Sequence, residues 1–123
     1  MSIKILYVED EKDLAELVKT YLESNRFEVD IAYDGLEGLK KAKENPDLIM
    51  LDLMLPKMSG QEVLERLRFD PKTKNIPVII LTARGESQTI FDMMKLGSFD
   101  YLIKPYEHKE LLDTIRRALN MPK

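Results

Sequence analysis

The chain has 123 residues and a formal net charge of −3, from 19 Lys or Arg and 22 Asp or Glu, so it lacks the basic excess that a nucleic-acid-binding face needs. Hydrophobic residues make up 44% and charged residues 33%, a globular composition for one domain that buries roughly two-thirds of its unfolded surface. With no cysteine and His108 as its one histidine, the chain has no disulfide, no thiol nucleophile and no Cys- or His-based metal cluster.

Strand and helix alternate five times along the chain. Ile3 to Val8 is a short apolar run, read as a strand buried on both faces. It soon meets acids, so this N-terminus is neither a signal peptide nor a membrane span, and a reducing cytoplasm is the expected compartment. Asp13 is expected to cap the first helix, whose Leu14, Leu17, Val18, Tyr21 and Leu22 form one stripe opposite a wet face of Glu16, Lys19 and Glu23. Phe27, Val29 and Ile31 alternate with Glu28 and Asp30, the pattern of an edge strand. Asp34-Gly35 marks a turn into a second helix suggested by Leu36, Leu39 and Ala42, stopped near Asn45-Pro46. Leu48 to Leu53 is the third strand. Pro56 and Gly60 bound a loop, and the third helix turns Val63, Leu64 and Leu67 inward. A polar connection from Asp70-Pro71 to Pro77 leads into the fourth strand, Val78 to Leu81. The fourth helix carries Ile90, Phe91 and Met94 and ends near Gly97. Phe99 to Ile103 is the fifth strand, and Leu111, Leu112, Ile115 and Leu119 line the last helix, where His108 is a surface residue. Met54, Met58, Met93 and Met94 read as core or loop filler. With no repeat or linker, residues 1–123 form a single domain.

Five such units imply an α/β fold, a doubly wound parallel sheet with helices on both faces and right-handed crossovers. With the second strand at an edge, the order 2-1-3-4-5 fits, and ligands bind beyond the carboxyl ends of strands one and three. Asp52 ends the apolar run Leu48-Ile49-Met50-Leu51, where a carboxylate needs a partner, a metal or a proton. Glu9-Asp10, Thr82 and Lys104 end the other apolar strands in the same way. Three clustered carboxylates repel, and a hard divalent cation such as Mg²⁺ relieves that repulsion. An ammonium, a hydroxyl and a carboxylate nucleophile then suit phosphoryl transfer to Asp52.

Val8-Glu9-Asp10-Glu11, Leu51-Asp52-Leu53-Met54-Leu55-Pro56 with Ser59-Gly60, Leu81-Thr82-Ala83, and Asp100-Tyr101-Leu102-Ile103-Lys104-Pro105 together resemble the receiver domains of bacterial two-component response regulators, in register over the whole chain. The resemblance implies a (βα)5 fold of the flavodoxin-like, CheY-like kind. It implies that Asp52 takes a phosphoryl group from a sensor histidine kinase or a histidine phosphotransfer protein, with Mg²⁺ or Mn²⁺ as cofactor. Asp10 would bind the metal directly beside Asp52, Glu9 largely through water, and Met54 by its backbone carbonyl. Lys104 and Thr82 would hold the phosphoryl oxygens with help from the Ala83 amide, and Lys104-Pro105 would be cis. Glu9 stands where many members have Asp. Thr82 would relay the change to Tyr101, repacking the face of the fourth helix, fifth strand and fifth helix. Lys95, Asp100 and Arg116 fall where a subgroup of transcription factors makes dimer salt bridges. Met54 and Arg84 flank the approach of hydrolytic water and would set the aspartyl-phosphate lifetime. Such a domain catalyses its own phosphotransfer and slow autodephosphorylation as a signalling switch, without direct nucleic-acid or membrane binding.

Other readings are weaker. A flavodoxin-like cofactor binder needs a Gly- or Ser/Thr-rich phosphate loop after strand one, where Glu9-Asp10-Glu11 repels phosphate. An aspartyl phosphatase or mutase would want a second Asp at position 54, which is Met. A pseudo-receiver, a pure interaction module, would have lost Asp52, Thr82 or Lys104. Taken singly, Glu9-Asp10 could open a helix, Thr82 could be an N-cap and Tyr101 plain core. The chain ends at Leu119-Asn120-Met121-Pro122-Lys123, as a stand-alone receiver or part of a longer regulator.

Overall fold

The computed structural model of the protein describes residues 2–121. Its elements alternate as β1 (Ile3–Val8), α1 (Lys12–Ser24), β2 (Phe27–Ala32), α2 (Gly35–Ala42), β3 (Leu48–Leu51), α3 (Gly60–Phe69), β4 (Val78–Thr82), α4 (Ser87–Lys95), β5 (Asp100–Ile103) and α5 (His108–Ala118). The strands pair in parallel in the order β2-β1-β3-β4-β5. β3 stops at Leu51 instead of Leu53, because Leu51 is the last residue in register with both Val8 and Ile80. β4 runs on to Thr82, and β5 begins at Asp100 instead of Phe99.

Successive strand residues face opposite sides of the sheet, so burial on both sides requires uninterrupted apolar runs. Ile5, Tyr7, Leu48, Met50, Ile79, Leu81 and Leu102 pack against Ala15, Val18 and Leu22 of α1 and Leu111, Leu112 and Ile115 of α5. Leu6, Val8, Ile49, Leu51, Val78 and Ile80 pack on the other side against Ala42 of α2, Val63, Leu64 and Leu67 of α3, and Met93 of α4. β2 lies at the edge with Glu28 and Asp30 exposed. No helix among the described residues is long and apolar enough to cross a membrane.

Several helix faces differ from the sequence pattern. Glu11, not Asp13, occupies the N-cap of α1, without a side-chain cap bond; Asp13 lies in the first turn, where its charge suits the helix dipole. Leu17 is exposed, and Ala15 is buried with Val18 and Leu22. In α2 the buried side is Gly35, Gly38 and Ala42, and Leu36 is exposed. A methyl group at Gly38 would stand 3.0 Å from Val8, so small residues set that helix close to β1. In α4, Phe91 and Met94 are 58% and 57% exposed, and Met93 alone is buried. Apolar residues at 90, 91, 93 and 94 spread over one broad arc, and the position that packs inward, 93, lies at its edge. Of the four methionines read as filler, Met58 and Met93 are buried, whereas Met54 and Met94 are exposed.

Candidate functional site

Val8 and Leu51 are paired neighbours, so the chain leaves β1 and β3 at the same height, where the strand order reverses. The Glu9 amide donates to the Ala32 carbonyl at 2.9 Å and the Asp52 amide to the Val8 carbonyl at 3.1 Å, which fixes both residues just past their strands. Glu9 is 1% and Asp52 6% exposed, and Asp10 stands exposed at the rim. A carboxylate oxygen from each of Glu9, Asp10 and Asp52 lies within 4.8 Å of the others. The loop beyond β3 is pinned by Gly60, whose amide donates to the Leu53 carbonyl at 2.9 Å. A methyl group there would meet the Asp52 carbonyl oxygen at 2.2 Å, so only glycine allows α3 to start this close. β4 delivers Thr82 fully buried, and β5 leads into Lys104, whose bond to Pro105 is cis.

The Lys104 ammonium donates to Glu9 Oε1 at 2.7 Å and to Asp52 Oδ2 at 2.8 Å. It therefore bridges the two buried acids. The second oxygens have backbone donors: the Met54 amide reaches Asp52 Oδ1 at 3.0 Å and the Glu11 amide reaches Glu9 Oε2 at 3.3 Å. Burial pushes the Glu9 carboxyl above its ordinary range, against the downward pull of Lys104. For Lys104, burial opposes the charge, but the bonds to Asp52 and Glu9 outweigh it and its pKa is raised. Three carboxylates against one ammonium leave a surplus of negative oxygen donors, the set that a hard divalent cation such as Mg²⁺ takes.

Thr82 Oγ1 accepts the Arg84 amide at 3.4 Å. It caps no helix, since α4 begins at Ser87 with Glu86 at the N-cap. The Tyr101 hydroxyl donates to the Arg84 carbonyl, so Arg84 joins the end of β4 to the aromatic ring on β5. Ala83 and Met54 are exposed at the mouth. Asp100 pairs within the chain with Arg117 at 3.1 Å, beside the half-buried Arg116. Lys95 lies over the Phe91 ring, 5.4 Å from its centroid. His108 is exposed, its ring 4.4 Å from that of Tyr21.

Sequence reasoning missed two residues here. The Tyr7 hydroxyl, fully buried, donates to Glu9 Oε1 at 3.4 Å. The Tyr106 hydroxyl is buried beside it, with the Tyr7 hydroxyl as a hydrogen-bonding neighbour but without a bond of regular geometry among the described residues. Burial pushes both phenols up, which keeps them protonated donors. The available signal was one phenol inside an apolar strand, two residues before Glu9 and hence on the same face of β1.

The chain matches the model of the response regulator receiver domain over residues 5–116. It is 44% identical over 117 residues to the response regulator ArlR of Staphylococcus saprophyticus, covering 94% of this chain and 52% of that protein; it thus spans about half the length of the curated relatives it matches. In structure it is similar to the chemotaxis protein CheY4 of Vibrio cholerae, with a TM-score of 0.90 and 30% identity over 97% of this chain and 100% of that one. It is also similar to the receiver domain of sensor histidine kinase PA1611 from Pseudomonas aeruginosa, described with a magnesium ion coordinated in its active site cleft. There the TM-score is 0.89 and the identity 26%, over 98% of this chain and 99% of that one.

Proposed function

Because the chain belongs to the response regulator receiver domain family, we propose that it is a phosphorylatable switch whose acceptor is Asp52. The observation that carries this reading is the single ammonium of Lys104 bridging buried Asp52 and Glu9, at 2.8 and 2.7 Å, beneath an open acidic rim. A carboxylate that is buried yet bonded to a mobile cation is a restrained nucleophile, and its bridge can re-form around an added phosphoryl group. An Asp52 oxygen attacks the phosphorus of a phosphohistidine on a sensor histidine kinase or histidine phosphotransfer protein. The phosphorus–nitrogen bond breaks and its electron pair returns to the imidazole, leaving an acyl phosphate. Lys104 follows the new charge, Thr82 donates its hydroxyl to a phosphoryl oxygen, and the Ala83 amide assists.

Asp10, Asp52 and the Met54 carbonyl would hold Mg²⁺ or Mn²⁺, with Glu9 behind them, and the bound ion supplies positive charge to the phosphoryl oxygens. Arg84 bonds to both Thr82 and Tyr101, which supports Tyr101 as the relay toward α4, β5 and α5. Lys95, Asp100 and Arg116 stand at that face as the proposed contacts of a phosphorylation-dependent homodimer. The single domain would act in the cytoplasm, with neither DNA nor membrane contacted by this domain itself. Incubation with acetyl phosphate and Mg²⁺ should add one phosphoryl group by mass, and Asp52→Asn should abolish it. Wild-type protein that stays unmodified would instead favour a pseudo-receiver acting through protein contacts alone.

A further inference from the structure

We propose that Tyr7 and Tyr106 are positioning residues of this site, their buried hydroxyls holding Glu9 in place when Lys104 leaves it for a phosphoryl group. This rests on the phosphorylation reading above. Glu9 Oε1 has two donors, Lys104 Nζ at 2.7 Å and the Tyr7 hydroxyl at 3.4 Å. The same ammonium is bound to Asp52 at 2.8 Å. When Asp52 carries a phosphoryl group, the larger charge lies farther out from the sheet, and Lys104 turns to it. Glu9 is then a buried carboxylate that has lost its stronger partner, a costly arrangement unless another donor closes in.

Tyr7 is the donor already aimed at that oxygen. Its distance is long while Lys104 holds the position, and it can shorten when Lys104 withdraws. Tyr106 completes the arrangement. A buried hydroxyl without a well-formed bond demands an explanation, and this one has the Tyr7 hydroxyl as a hydrogen-bonding neighbour, short of regular bond geometry. It can donate to Tyr7 once Tyr7 commits its own proton to Glu9. A groove of about 400 Å³ runs along Leu14, Val18, Lys104 and Tyr106, so the Tyr106 ring and the Lys104 stem have room to move. The strand positions paired with Tyr7 are apolar, Ile31 on one side and Met50 on the other. Packing alone therefore gives no reason for an oxygen there. Hydrogen-bond partners behind a ligand carboxylate fix its orientation toward a metal.

The test compares Mg²⁺ affinity by titration calorimetry with and without beryllofluoride, the phosphoryl mimic, in wild type, Tyr7→Phe and Tyr106→Phe. Both variants keep the ring and remove only the oxygen. Tyr7→Phe should weaken Mg²⁺ binding about tenfold with beryllofluoride present, and change it little in its absence. Tyr106→Phe should move in the same direction by less. A packing defect would shift both conditions equally, and equal shifts, or none, would overturn the inference. If wild type fails to bind beryllofluoride, the phosphorylation reading itself falls and takes this one with it. If wild type binds it and Tyr7→Phe matches wild type, only the positioning role falls.

Discussion

α3 and α4 lie on the same side of the sheet but are held to it very differently. Ser59 caps α3 by accepting the Glu62 amide at 3.2 Å, and the helix buries Gly60, Val63, Leu64 and Leu67. Glu86 precedes α4 without a side-chain cap bond, and that helix buries Met93 alone. The approaches differ in the same sense: the loop into α3 closes against the Asp52 carbonyl through Gly60, whereas residues 83–88, leading into α4, are exposed throughout. Local stability follows buried contact. The proposed acceptor Asp52 therefore sits beside the stiffer helix, and the helix proposed to report its modification can shift at less cost in burial.

The largest effect that would test this contrast is at the first residue of each helix. In Gly60→Ala the new methyl meets the Asp52 carbonyl oxygen at 2.2 Å and the Leu53 Cα at 2.5 Å, both backbone atoms that side-chain motion cannot relieve. Denaturant unfolding should show a loss of about 3 kcal/mol or more, and phosphorylation of Asp52 should fall with it. Ser87→Ala, at the start of α4, should stay within about 0.5 kcal/mol of wild type. Similar losses at both positions would remove the distinction.

Next in size is the anchor of α4. Met93→Ala empties the one fully buried position of that helix and should cost about 2–4 kcal/mol. Phe91→Ala, which removes a larger but exposed side chain, should change unfolding by no more than about 0.5 kcal/mol. If Phe91 proved the costlier deletion, α4 would be seated on the face the sequence pattern suggested.

The seating of α4 shows what the sequence could carry. The strands were legible because each is a short apolar run ended by a polar residue, and parallel pairing brings those ends together. Glu9, Asp10, Asp52, Thr82 and Lys104 could be grouped from pattern alone for that reason. Helix faces were legible only where one stripe existed, as with Val63, Leu64 and Leu67. At α4 the apolar residues span one broad arc with the buried Met93 at its edge, and at α2 glycines replace large residues at the contact, so periodicity does not identify the inward side. Within the site, the Lys104–Glu9 bond joins residues 95 apart in sequence, and Tyr7 looks like any other core aromatic in a strand. The first has no local signal, since it depends on how the strands lie side by side; the second had only its phenol two residues before Glu9, which the apolar run around it masks.

A smaller effect separates the helix starts by capping. Ser59→Ala should cost about 1 kcal/mol, the usual worth of such a cap, by leaving the Glu62 amide without its acceptor. Glu86→Ala loses no cap bond, and its thermal midpoint should hardly move. A cost at Glu86 equal to that at Ser59 would mean that α4 is fastened by contacts its exposed surroundings conceal.

The smallest effect is a slope, not a loss, and it falls beside the stiffer helix. Burial raises the Glu9 pKa above its ordinary 4.5, and Lys104 offsets only part of that rise. A raised acid binds its proton more tightly folded than unfolded, so its contribution is fully present below the unfolded pKa and is lost as pH rises through the folded one. Asp34 has the opposite sign: the Glu37 amide lowers its pKa, so its contribution is present above the unfolded value and lost on acidification. Lys104, also raised, gives up its contribution only in the alkaline range. In the absence of divalent cations, the stability of wild type minus that of Glu9→Gln should therefore decline as pH rises from below 4.5 and level off once Glu9 is ionised in the folded state. Denaturant unfolding across that range reads the difference directly, with Asp34 cancelling between the two proteins. A difference that grew with pH would mean that Lys104 more than offsets the burial of Glu9. The acidic pocket would then stiffen the region beside α3, instead of being a charged strain which that region is built to hold.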